Sequence, residues 1–300
     1  MARSPVLDEI RRLDPVGDCQ RIVSLSNTHD FSFDMARSLE FALFRTYCVP
    51  RISGLLDRTG EFATRPQKRY DDTDLIVSIL MEHGYESERG KEALRAMNGM
   101  HRRFKIANGD YLYVLSTFVF EPIRWHARFG WRPYVEQERL GLFHFWRAVG
   151  TRMGIREIPE EFGAFERYNV SYEREQFRLA DSNVRVGRAT LDLFLSWYPR
   201  PLRPLVRPAM YALMDEAILS GFGFPRPSPA LRRLVEGALH ARAIGLRLMP
   251  PRRRPHYHSD RRPRSYPKGY RVEDFGPPKP WDDAAPSIEP SGESRTPMPM

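Results

Sequence analysis

Residues 111–120 read YLYVLSTFVF, and few folds can accommodate them. Wound as a helix, the run is apolar on nearly every side, and such a helix has to be buried. It opens a pattern that begins at Tyr111 and runs to about Phe129, directly after the turn and cap signal Asn108-Gly-Asp. A chain built around that element must wrap further amphipathic helices about it.

The rest of the sequence supplies them. Phe33 to Leu56 carries apolar residues at mixed spacings, interrupted by Pro50. Asp71 or Asp72 can cap a helix reaching Met81. Ser87 to Ile106 places Leu94, Met97, His101 and Phe104 on one face, so that His101 looks into the core. Further helices fit Val135–Met153, Tyr172–Val186, Ala189–Leu195, Pro204–Leu219 and Ala230–Leu248. Few stretches alternate in the manner of a strand. The fold expected is all-α: one globular multi-helix domain over residues 31–249, an N-terminal extension over 1–30, and a basic, Pro-rich tail over 250–300.

With 300 residues, 41% of them hydrophobic, the chain can bury a sizeable core. The formal charge of +9 admits anionic partners. Much of that surplus sits between Arg252 and Lys268, where Asp260 is the sole acid. Such a segment buries too little apolar surface to offset chain entropy, so it is expected to be largely irregular or disordered, or to drape over the domain through Tyr257, Tyr266, Tyr270 and Phe275. Cys19 and Cys48 show no metal-like spacing and suit a reducing compartment. The N-terminus lacks the apolar core of a signal peptide, and no apolar run is long enough to span a bilayer. The chain is therefore expected to be cytoplasmic, with at most a peripheral membrane contact.

Three clusters can carry chemistry. His101 is either a core histidine bonded to a carbonyl or a metal ligand. Arg95, Arg102 and Arg103 on the same helix can pair with the two propionates of a haem, for which an imidazole is a common proximal ligand. Arg69, Asp72 and Thr73 are either a solvated cation with a helix cap, or a cation, carboxylate and hydroxyl that position a small polar guest. Glu121, after Phe118-Val119-Phe120, is costly to bury alone and has Arg124 one turn on as partner. His126 and His144 sit on different helices, and His256-Tyr-His258 makes a poor metal site. No Ser/His/Asp motif or H-x-x-x-H pair supports hydrolysis.

At these residues the sequence resembles the MpaB-type oxygenases, relatives of the latex-clearing rubber oxygenases. The matching pattern includes Arg95, Met97-Asn98, His101-x-Arg103-Phe104, Asp110-x-Leu112-Tyr113, Leu115-Ser116, Glu121-Pro122-x-Arg124-Trp125 and Trp131-Arg132. Lys68 to Thr73 (KRYDDT) and Tyr47-x-x-Pro50-x-Ile52-Ser53-x-Leu55-Leu56 fit too, and the similarity covers roughly residues 35–250. The resemblance implies a globin-like helical core around one haem b. Its axial histidine falls on His101, and its distal Arg-x-x-x-Thr element on Arg69 and Thr73. The lysine that precedes this threonine in rubber oxygenases is replaced by Asp72. Their distal glutamate base has no clear counterpart, Glu61 being a distant candidate. No counterpart of the fungal members' membrane anchor is expected. The activity implied is cleavage of carbon–carbon double bonds in an apolar, polyprenyl-like substrate by O2, with both oxygen atoms ending in two carbonyl products. The basic tail would hold the enzyme near anionic membranes.

Two other readings stand beside this one. The first keeps the haem in a peroxidase-like or gas-binding role without cleavage. The second is a non-enzymatic helical module that binds anionic surfaces or nucleic acid through its tail; that tail lacks the patterns of specific nucleic-acid readers, so no specific nucleic acid is expected.

Overall fold

Proline and serine set the starts of several helices in this chain, whose computed structural model describes residues 5–277. The described residues form α-helices joined by short 3₁₀ and π turns, without strands, as an all-α fold requires. The first two helices are α1 (Pro5–Ile10) and α2 (Cys19–Leu25). Ile10, Cys19, Ile22, Val23 and Leu25 are buried, so the presumed N-terminal extension is part of the core. Two helices flank the expected break at Pro50: α3 (Ser32–Thr46) and α4 (Pro50–Arg58), followed by the single turn α5 (Glu61–Thr64).

Pro66 opens α6 (Pro66–His83), because a proline in the first turn lacks only an N–H that would have no helical partner. Asp71 and Asp72 consequently lie in the helix interior and do not cap it. Gly84, at φ +81°, turns the chain toward α7 (Glu88–His101), which is capped by Ser87 Oγ accepting from Gly90 N at 3.0 Å. This helix stops at His101, five residues short of the expected Ile106.

The apolar run forms the first half of α8 (Asn108–Phe129), with Pro122 inside it. Its start moves from Tyr111 to Asn108, whose side chain clamps the backbone of Arg156 through two 2.9 Å bonds. The remaining helices are α9 (Glu136–Arg152), α10 (Phe162–Gln176), α11 (Asp181–Ser196), α12 (Arg203–Leu213), α13 (Glu216–Phe222) and α14 (Pro229–Leu248). α8 lies against α3, α9 and α10.

Burial of α8 brings charge into the interior. Glu121 pairs with Arg124 at 2.7 Å as expected, and also with the buried Arg45 of α3 at 3.5 Å. Arg45 further binds Glu173 of α10 and Asp215 at the start of α13. A guanidinium shared among three carboxylates ties four helices together through groups that are costly to bury singly.

The basic tail drapes over the domain without α-helix from residue 250 to 277. Its clasp is the acidic face of α6. Asp71 accepts from Ser265 N at 2.9 Å, and Glu82 accepts from the backbone of His258 and Ser259 at 2.6 and 3.0 Å. Asp74 pairs with His258 and Arg261. Tyr266 and Phe275 are buried in the same apolar cluster as α6 and α7 residues. Residues 250–277 stay largely irregular yet lie on the domain, because the acids of α6 meet a segment rich in cations and free N–H groups. Residues 278–300 of the expected tail lie outside the described residues.

Candidate active site

His101 closes α7, and the edge of its ring meets Tyr111 of α8 with centroids 5.6 Å apart. Its Nδ1 is sealed from solvent and has no hydrogen-bond partner. Burial, and after it the nearby Arg69 cation, pushes the imidazole pKa down to about 4. The ring is therefore neutral at physiological pH, with a lone pair available to a metal.

Arg69 and Thr73 are one turn apart on α6 and bond directly, the guanidinium donating to the hydroxyl; that hydroxyl also donates to the Arg69 carbonyl at 3.1 Å. Both line a cavity of about 30 Å³, room for about one water-sized guest. Leu43, Phe62, Leu193 and Phe194 supply its apolar wall, while Tyr47, Tyr70 and Glu40 add polar groups. Tyr111 alone of the aromatics in residues 111–120 meets His101; Phe118 stacks on Trp146 at 4.8 Å, and Phe120 meets Phe162 and Phe165.

Glu40 is the residue that the sequence reading missed. It accepts from the Tyr70 hydroxyl at 2.6 Å and pairs with Arg37 at 2.6 Å. Burial nonetheless raises its carboxyl to about 7, the Arg37 charge opposing. The signal was present in Leu39-Glu-Phe-Ala-Leu, a lone carboxylate in an apolar run, which is the argument that singled out Glu121. Glu61, the distant candidate for a distal base, pairs with Arg65 and does not line the cavity.

Asp72 departs from the site expected for it. It sits about 100° from Thr73 around the helix. Its Oδ1 accepts from the Tyr266 hydroxyl and from Lys68 at 3.1 Å. Its Oδ2 accepts from Lys68 and from Gly276 N, each at 2.9 Å. All of its bonding capacity thus goes to the tail and its clasp. Arg95 and Arg102 are exposed, each reaching back one turn to a carbonyl of α7 at 3.3 Å, and Arg103 is partly buried.

His126 is the other deeply buried imidazole. Its Nδ1 lies 2.5 Å from the Pro122 carbonyl, and its ring is enclosed by Phe31 and Tyr134 at centroid distances of 4.4 and 4.2 Å. Its Nε2 is likewise sealed and without a hydrogen-bond partner, but the ring is wedged among core aromatics and lies away from the Arg69 cavity lining. Among the described residues no three His, Cys, Asp or Glu side chains gather as a metal site, and neither cysteine is in a disulfide. No described helix is long and apolar enough to cross a membrane.

Residues 42–246 match the family described as ER-bound oxygenase mpaB/B'/rubber oxygenase, catalytic domain. The chain is 28% identical over 243 residues to the ER-bound oxygenase mpaB' of Penicillium brevicompactum, covering 74% of this chain and 57% of that protein. It is 35% identical over 133 residues to the ER-bound oxygenase mpaB of Penicillium roqueforti, covering 42% of this chain and 44% of the relative. The mpaB protein of P. brevicompactum is also 35% identical over 133 residues, 42% of this chain and 34% of that one. The chain thus spans about half the length of the curated relatives it matches. With His101, Arg69 and Thr73 all inside the matched span, the chain belongs to the mpaB/rubber oxygenase catalytic-domain family.

Proposed function

We propose that this chain is an oxygenase that holds haem b through His101 and cleaves a carbon–carbon double bond of an apolar, isoprenoid-like substrate with O2. The observation that carries the reading is the orphaned, neutral His101 nitrogen beside Arg69, which also faces a guest-sized cavity. A lone imidazole suits a metal whose other ligands come with it, as in a porphyrin. Arg102 and Arg103, directly after His101 in the chain, would meet the propionates, Arg being suited to carboxylates.

Bound haem would supply the activation of O2. The chain's own residues do the rest. Arg69 and Thr73 orient a diatomic guest through a cation and a hydroxyl. Leu43, Phe62, Leu193 and Phe194 keep water out and offer apolar surface to an alkene. Glu40, with its carboxyl at about 7, can take or give a proton at Oε1, where Tyr70 already donates. The reaction consumes one O2 per double bond and yields two carbonyl groups. With ¹⁸O2 and a polyprenyl substrate, both fragments should carry label; stoichiometric haem without labelled carbonyls removes the cleavage step. The small volume of the cavity supports a second reading, a gas-binding or peroxidase-like haemoprotein, which that outcome would favour.

A further inference from the structure

α14 is apolar on two opposite faces. Val235, Leu239, Ala243 and Leu246 lie toward the protein, as partly or fully buried residues. Leu234, Ala238, Ala241, Gly245 and Leu248, with Ile244 beside them, form a second stripe at i, i+4, i+7, i+11 and i+14 that faces outward. Leu234 is 70% exposed, Ile244 57% and Leu248 83%. A helix apolar on both sides is ordinarily covered on both. The neighbouring α12 adds Leu205, also 70% exposed.

The charges around this stripe have one sign. Residues 198–250 contain eight arginines and three acids. Of those acids, Asp215 is taken by Arg45, Glu216 by Arg226 and Glu236 by Arg128. Arg233 and Arg247 are exposed at the two ends of the stripe, and Arg252 to Arg254 follow directly after α14. Antiparallel packing of α14 on a second copy would set Arg233 against Arg247 with no carboxylate to spare. Anionic lipid headgroups would complement them while the stripe enters the acyl boundary.

We infer that the outer face of α14 is a peripheral docking surface for an anionic bilayer, lying along it without crossing. It shares no residue with the Glu40–Arg69 cavity, and the inference is independent of the chemistry proposed there.

The full chain should co-sediment with vesicles of phosphatidylcholine containing about one third phosphatidylglycerol, far less with phosphatidylcholine alone, and less as salt rises. In Leu234→Ser/Leu248→Ser, binding should weaken at least about tenfold with the helical circular dichroism unchanged, since both side chains are exposed. Arg233→Glu should weaken it on anionic vesicles only. Failure of the wild type to bind, or undiminished binding by the double variant, would overturn the inference. So would a concentration-dependent dimer, seen by light scattering, that the double variant loses while vesicle binding persists.

Discussion

Arg69 on α6 bears electrostatically on His101 at the end of α7. Burial first, and the guanidinium second, hold that imidazole at a pKa of about 4. The same guanidinium bonds Thr73 and lines the small cavity, so one cation couples the neutral ligand candidate to the guest position. Glu40, across that cavity, is displaced the other way, to about 7.

These opposed shifts make a pH signature in the haem-free protein. Between about 4 and 6.5 the unfolded chain binds the proton that folded His101 refuses, so His101 makes stability rise with pH. Between 4.5 and about 7 folded Glu40 keeps a proton that the unfolded chain releases, so Glu40 makes stability fall with pH. The two slopes offset each other in the wild type. Relative to it, His101→Gln should tilt the stability curve downward with rising pH and Glu40→Gln upward, each by on the order of 3 kcal/mol across the window. Urea midpoints at closely spaced pH values read this; parallel curves would show that neither group is perturbed.

Glu40→Gln should also reduce turnover by about 100-fold or more while leaving the absorption spectrum unaltered. The ionisation near pH 7 in kcat/KM should vanish with it. Retention of that ionisation would assign proton handling to another group.

Tyr266→Phe removes the hydroxyl that Asp72 accepts and that Lys68 donates to at 2.7 Å. The loss should cost about 1–2 kcal/mol and loosen residues 256–276. Hydrogen exchange in that segment should rise while exchange in α8 stays unchanged. A variant as protected as the wild type would mean the clasp contributes nothing.

Arg45→Met should destabilise the fold by about 3–5 kcal/mol, because Glu121, Glu173 and Asp215 would be left facing one another. Adding Glu173→Gln should recover part of the loss. A thermal midpoint unchanged in the single variant would contradict the reading of Arg45 as the hub of these helices.

Helices were legible where periodicity or a stop signal was strong. Residues 111–120 dictated a buried central helix, and Pro50 marked a break that the fold keeps. Asp71 and Asp72 show where local reading fails. Acids ahead of an apolar run look like caps, but their role comes from Ser265, Tyr266 and Gly276, some two hundred residues on. The tail's lack of regular structure was legible in its composition; the groups that hold it, on α6, on α7 and in the apolar cluster, were not. In the candidate site, helical spacing pointed His101 inward and the family pattern singled out Arg69 and Thr73. Glu40 carried a signal in its apolar surroundings, but its place beside Arg69 and Thr73 needed the fold, where α3, α6 and α11 meet around the cavity.

Haem ligation by His101 is read from the absorption spectrum of the protein purified from haem-replete cells. A Soret band at one haem per chain is expected. It should be lost or sharply shifted in His101→Ala and retained in His126→Phe. A chain without stoichiometric haem, or a Soret band indifferent to His101→Ala, would contradict that ligation.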